Sequence, residues 1–147
     1  MAMLAGIVHG EVALKALIAL SLALFLSPLM ASEEAKPEDA NKPLFVDLTP
    51  ALVGNYGSGP KLKYYKADIA LKVTGKEAEE KVEHHEPLIR NQLIMLFAQQ
   101  TDESLGSVEA KEKLRQEALK QVQTVLKEEE GKPLVDDLLF NNLIVQP

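Results

Sequence analysis

The chain contains no cysteine and no tryptophan, and its aromatic residues amount to three tyrosines and four phenylalanines. Without cysteine there is no disulfide, no thiolate zinc site and no thiol nucleophile, so stability has to come from packing alone. Tyr56, Tyr64, Tyr65 and the few phenylalanines are a thin supply of faces for stacking bases or sugars. Basic residues are also in the minority, 16 against 22 acidic ones, for a net charge of −6. That balance excludes the usual nucleic-acid binder, which concentrates Lys and Arg on one face and gains affinity by counterion release. The glycine-rich stretch Gly54–Pro60 has neither GxGxxG spacing nor a closing Lys-Ser/Thr, so it is no phosphate cradle. No cofactor and no small-molecule substrate is expected.

What the chain does have is one long apolar run. Ala16–Ala31 (ALIALSLALFLSPLMA) carries no charge, follows Lys15, and gives way at once to the acidic pair Glu33-Glu34. Such a run is an address before it is structure, and it sends the rest of the chain out of the cytoplasm. The short stretch Ala16–Leu26, the Ser27-Pro28 break and small Ala31 describe a signal peptide cut near Ala31. Taken instead as Val12–Ala31 with Lys15 snorkelling, the same residues reach the ~20 needed to span a bilayer and remain as an anchor. The residues leave both readings open. Residues 1–31 are therefore an anchor or signal peptide, 32–43 (SEEAKPEDANKP) an acidic, proline-containing linker too polar to order itself, and 44–147 one domain.

Within that domain the pattern predicts an α+β fold, a small antiparallel sheet packed against two main helices. Leu62–Val73 is the strongest strand, with Tyr65, Ala67, Ile69, Leu71 and Val73 on one face and Tyr64, Lys66, Asp68 and Lys72 on the other. Leu44–Val53 reads as an edge strand interrupted by Pro50, and Gly54–Pro60 as turn throughout. Thr74 and Glu77 have capping-box spacing for an exposed first helix over 75–85. Pro87 starts the next helix, whose apolar residues Leu88, Ile89, Leu93, Ile94, Met95, Leu96 and Phe97 surround most of its circumference and predict the centre of the core. Val108–Glu130 is a long helix with a narrow stripe through Val108, Lys111, Leu114, Ala118, Val122, Val125 and Leu126, stopped by Gly131-Lys132-Pro133. Leu134–Val145 is a closing strand with Leu138, Phe140 and Ile144 on one parity.

Polar clusters offer little chemistry. Glu83-His84-His85-Glu86 are metal-type ligands, but helix neighbours diverge by about 100° and cannot converge; only Glu80 and His84 stand four apart. Asp136-Asp137 would face opposite sides of a strand, which spoils them as an acid–base pair. Glu128-Glu129-Glu130 at a helix C-terminus reads as a solvated charge run. No serine stands with His and Asp, so hydrolysis has no visible machinery and no catalytic, cofactor or metal residue is assigned.

From Phe45 to Gln146 the chain resembles the flagellar basal body-associated FliL family. The resemblance rests on FVDLTPALVGNY (Phe45, Leu48, Pro50, Val53, Asn55), KLKYYKADIALKV, and HEPLIRNQLIMLFAQQT with Pro87, Ile89, Arg90 and Leu93. Leu105, AKEKLRQEALKQV and the ending LLFNNLIVQ, with Phe140, Val145 and Gln146, complete it. It implies a non-enzymatic protein anchored once in the bacterial inner membrane, with a periplasmic stomatin-like domain. It also implies flagellar stator and basal-body proteins as partners, assembly into a homo-oligomeric ring, and an effect on flagellar rotation, swarming and chemotaxis. The alternative is a cleaved, soluble periplasmic binding module unrelated to the motor.

Overall fold

In the computed structural model of the protein, residues 38–147 are described. The anchor or signal peptide over 1–31 and most of the linker lie outside the described residues. The elements are β1 (Pro43–Tyr56), β2 (Lys63–Thr74), α1 (Lys76–His84), α2 (Glu86–Ala98), the single turn α3 (Asp102–Gly106), α4 (Val108–Glu130) and β3 (Val135–Gln146). Among the described residues the fold is α+β, with one three-stranded antiparallel sheet in the order β1-β2-β3 and four α-helices.

The central strand follows its sequence pattern closely. Tyr65, Ala67, Ile69, Leu71 and Val73 are all buried on the helix-covered face, because a strict period of two on β2 leaves only one face to bury. β1 is an edge strand longer than Leu44–Val53. It continues through Gly54, Asn55 and Tyr56, which pair with Tyr65, Tyr64 and Lys63, so the turn begins only at Gly57. Gly54 is needed within the strand, since a Cβ there would lie 2.8 Å from the Tyr65 hydroxyl. The pairing shifts between Leu48 and Leu52, around the cis Thr49-Pro50 peptide, and Val46, Leu48, Leu52 and Tyr56 still all face the core.

Three further expectations are corrected. Thr74 does not cap α1: it is the last residue of β2, and its hydroxyl donates to Asp136 Oδ2 at 2.6 Å. The helix begins instead from Gly75 at φ +86°, whose N–H donates to the Lys42 carbonyl at 2.9 Å. Nor is the linker unordered to its end, because Asp39–Asn41 forms a 3₁₀ turn in which Ala40 O lies 2.6 Å from where a Gly75 Cβ would be. α1 is not wholly exposed either, since Val82 and Ala78 are buried.

On β3 the inward residues are Val135, Leu138, Phe140, Leu143 and Val145, whereas Ile144 faces out and is 51% exposed. Register shifts at Asp136 and Asn141 each insert one residue and reverse the parity, the two-against-one geometry of a bulge. These bulges are why the alternation reads as imperfect.

α2 packs Ile89, Leu93, Leu96 and Phe97 against the sheet. Phe97 stacks on Tyr65 with ring centroids 4.6 Å apart and meets Phe140 at 5.9 Å. α4 contributes Leu114, Ala118, Val122 and Leu126, four residues apart along one stripe; Val108 at its start is 80% exposed and takes no part. The chain enters the sheet with Pro43 opposite Thr74 and leaves it with Gln146 opposite Tyr64, at the opposite end.

Candidate contact surface

The polar groups that the sequence offers for chemistry are largely engaged in ties within the fold. Asp136 accepts from Thr74, while Asp137 accepts from Arg115 Nη1 at 2.5 Å and from the Leu138 N–H at 2.9 Å. The two carboxylates therefore hold different elements together and face no common ligand. Of the four residues 83–86, Glu83 and His84 are exposed, and Glu86 makes a 3.5 Å ion pair with Arg90.

His85 is the corner residue that ends α1 and begins α2, and its carbonyl accepts from the Leu88 and Ile89 N–H groups at 3.0 Å. Its Nε2 lies 2.7 Å from Glu130 Oε1, and Lys81 Nζ lies 3.2 Å from Glu130 Oε2. The His85 hydrogen bond first, and Lys81 next, hold the Glu130 carboxyl below the usual carboxylate range. The run Glu128–Glu130 is thus only partly a solvated face. Its last member ties the end of α4 to the α1–α2 corner, which offsets the unfavourable helix dipole there. Among the described residues no group of three or more His, Cys, Asp or Glu side chains is placed to hold a metal ion.

A second polar cluster fixes the far end. Tyr56 donates to Asp102 Oδ1 at 3.2 Å and Lys63 pairs with Asp102 Oδ2. Lys63 keeps the Asp102 carboxyl low, and burial followed by the hydrogen bond to Asp102 pushes the Tyr56 phenol up. Concave surfaces exist, one of about 510 Å³ bordered by Thr74, Gly75, Lys76, Lys132 and Asp136, and one of about 560 Å³ bordered by Thr49, His84, Glu86, Arg90 and Ile94. The first places the Thr74 hydroxyl on the Asp136 carboxylate, a contact that ties the end of β2 to the start of β3.

What the domain offers instead is apolar surface. The expectation that α2 is buried around most of its circumference holds for one side only. Leu88, Ile94 and Met95 are 39%, 41% and 49% exposed, and Pro87, Asn91 and Ala98 beside them are exposed too. On the uncovered face of the sheet, Val53 and Ile144 are 64% and 51% exposed and flank Lys66 in one cross-strand row. Phe45 and Tyr64 are 52% and 43% exposed toward the two ends of that face. Both surfaces were partly readable: the sheet face from the parity of β2, the α2 face from an apolar excess that the sequence alone assigns to the core.

The profile of a protein family described as "Flagellar basal body-associated protein FliL" matches residues 45–146, which takes in the whole sheet and all four helices from Phe45 on. The chain belongs to the FliL family. It is also 28% identical over 81 residues to the "Flagellar protein FliL" of Aquifex aeolicus (strain VF5), an alignment covering 55% of this chain and 50% of that protein. The chain thus spans about half the length of that curated relative. Membership places it among flagellar basal body-associated proteins. Among the described residues no helix is long and apolar enough to cross a membrane.

Proposed function

We propose that this FliL-family domain is a non-enzymatic accessory of the flagellar basal body, supporting or modulating rotation through contacts with stator and basal-body proteins. The observation that carries this reading is the family match across residues 45–146. It is supported by polar clusters that are spent on internal ties and by apolar side chains left on two outer surfaces. In this reading residues 1–31 hold the chain in the inner membrane, the domain stands in the periplasm, and copies assemble around the stator. The contact surface is the uncovered sheet face, where Val53, Tyr64 and Ile144 present an apolar patch around Lys66. The long helix α4 is a poorer surface, because its outer side is charged and engaged in its own contacts, the Glu112–Arg115 ion pair and the hydrogen bond from Gln121 to Glu117.

Deleting the gene is expected to shrink swimming and swarming halos on soft agar, and normal motility under load would overturn the assignment. Val53→Glu with Ile144→Glu, both on exposed positions, is expected to impair motility while far-UV circular dichroism stays unchanged. Fractionation of the full chain checks the location: recovery in the membrane with an intact N-terminus is expected, and a mature start at Ser32 would overturn anchoring.

A further inference from the structure

The two outer edges of the sheet are finished differently. With the order β1-β2-β3, β1 and β3 each have one side without a neighbouring strand among the described residues. β1 carries Pro43 and Pro50 and shifts its pairing between Leu48 and Leu52, features that keep an edge from taking another strand. β3 contains no proline, and its second half, FNNLIVQ over Phe140–Gln146, carries no charge either.

The first half of the β3 edge is closed by side chains. Gln123 of α4 donates to the Val135 carbonyl at 2.8 Å, and Arg115 Nη1 donates to the Leu138 carbonyl at 3.0 Å. The Leu138 N–H donates to the Asp137 carboxylate at 2.9 Å, so both main-chain groups of Leu138 are taken without β2. In an antiparallel ladder the direction away from the partner strand recurs at every second residue. It therefore falls on Phe140 and, past the extra residue at the Asn141 bulge, on Leu143 and Val145. No strand of the described residues lies beside those three.

α4 also places a charge there. The contacts of Gln123 with Val135 and of Arg115 with Leu138 show α4 running antiparallel to β3. Lys111, Arg115, Leu119 and Gln123 recur every four residues on one side of the helix, which puts Lys111 one turn beyond Arg115, toward the open half of the edge. The charged neighbours of Lys111 are engaged with one another, since Arg115 pairs with Glu112 at 2.6 Å and with Asp137 at 2.5 Å. Glu109 points about 160° away from Lys111 around the helix. On the uncovered face of the sheet, Lys66 and Asp68 stand two apart on β2 and offset each other. Lys111 is the cation left over beside this edge.

We propose that the Phe140–Val145 edge of β3 takes an extended segment of a second protein as a fourth strand, held by main-chain hydrogen bonds and by a carboxylate of the segment on Lys111. Only another extended backbone satisfies outward N–H and C=O groups in register. The closed half fixes where that strand stops, because Arg115 and Asp137 already occupy Leu138, so the segment is short, about six residues or 20 Å. On its other face an apolar residue beside Ile144 continues the row of Val53, Lys66 and Ile144. This site is an edge, distinct from the sheet face assigned above, and it stands whether or not the flagellar role does.

The test uses the full chain and a blocked synthetic peptide, Thr-Val-Thr-Val-Asp-Val-Thr, with a second peptide carrying Lys for Asp as its counterpart. Hydrogen exchange read by mass spectrometry is expected to slow about tenfold over residues 140–147 when the Asp peptide is added, with β1 unchanged. Lys111→Glu is expected to weaken the Asp peptide about fivefold and to strengthen the Lys peptide by a similar factor. Val145→Pro removes an N–H that points away from β2 and is expected to weaken both peptides about tenfold, with circular dichroism unchanged. Equal slowing at β1, no slowing over 140–147, or binding indifferent to the charge at residue 111 would each overturn the proposal. So would a species of twice the mass, formed without peptide and protected over 140–147, because a second copy would then hold the edge.

Discussion

α2 and α4 are built on opposite plans. α4 is finished at both ends: the Ser107 hydroxyl accepts from the Ala110 N–H at 3.0 Å, and Gly131 in the left-handed conformation at φ +74° donates back to the Lys127 carbonyl at 3.0 Å. Its outer side stabilises itself through Glu112 with Arg115 at 2.6 Å and Glu117 with Gln121 at 2.9 Å. α2 has no side-chain cap at its start, where Pro87 stands in for one, and its outer side carries Leu88, Asn91 and Met95 in place of charges. One helix is complete as it stands in the monomer, and the other depends on tertiary burial along one side while leaving the other side unmet. The difference teaches that a helix apolar around most of its circumference need not be buried all round: one side of α2 is core and the other is exposed.

The comparison breaks most visibly on the inner side of α2. Phe97→Ala removes the ring stacked on Tyr65 and is expected to cost about 3–5 kcal/mol, measured by urea denaturation. A cost below about 1 kcal/mol would mean that burial is not what holds α2. On α4 the cap is the sensitive point: Gly131→Ala imposes a side chain at positive φ with no neighbour within 4 Å to clash, so the expected loss is about 1 kcal/mol from conformation alone. Leu88→Gln sharpens the contrast, because a substitution on the outer side of α2 should change stability by no more than about 0.5 kcal/mol.

The smallest effect is on acid response. Hydrogen bonds from Arg115 first, and from Gln116 next, pull the Glu112 carboxyl down from 4.5 to about 2. A depressed carboxylate contributes stability above its unfolded pKa and loses it as pH falls through the folded one. A carboxyl-resolved NMR titration should therefore place Glu112 well below 4.5, and Arg115→Gln should return it toward that value. An ordinary midpoint in the native protein would dissolve this part of the α4 network. The ion pair is exposed, and its contribution to overall stability is correspondingly small.

How legible each part was depends on whether its cause is local. β2 follows from its own period because Tyr65, Ala67, Ile69, Leu71 and Val73 need only a dry face. The end of α4 follows from Gly131-Lys132-Pro133 because a left-handed glycine stops a helix without reference to anything distant. Thr74 misleads for the opposite reason: its capping spacing is local, but pairing with Pro43 keeps it in the strand and its hydroxyl goes to Asp136, 62 positions away. The inward face of β3 depends on bulges at Asp136 and Asn141, which exist only against β2. The ties from Glu130 to His85 and from Asp102 to Lys63 join residues 45 and 39 apart and have no sequence signal. The candidate surface on α2 was visible as composition and hidden as exposure, since core and interface draw on the same apolar residues.

The opposed ends at which the chain joins and leaves the sheet have a mechanical consequence. Tension applied between Pro43 and Gln146 runs parallel to the strands, pulling β1 and β3 in opposite directions along β2. Loaded this way, the hydrogen bonds of each ladder share the force and have to fail together instead of opening one after another. A domain tethered by one end and gripped near the other would transmit a pull through its stiffest direction.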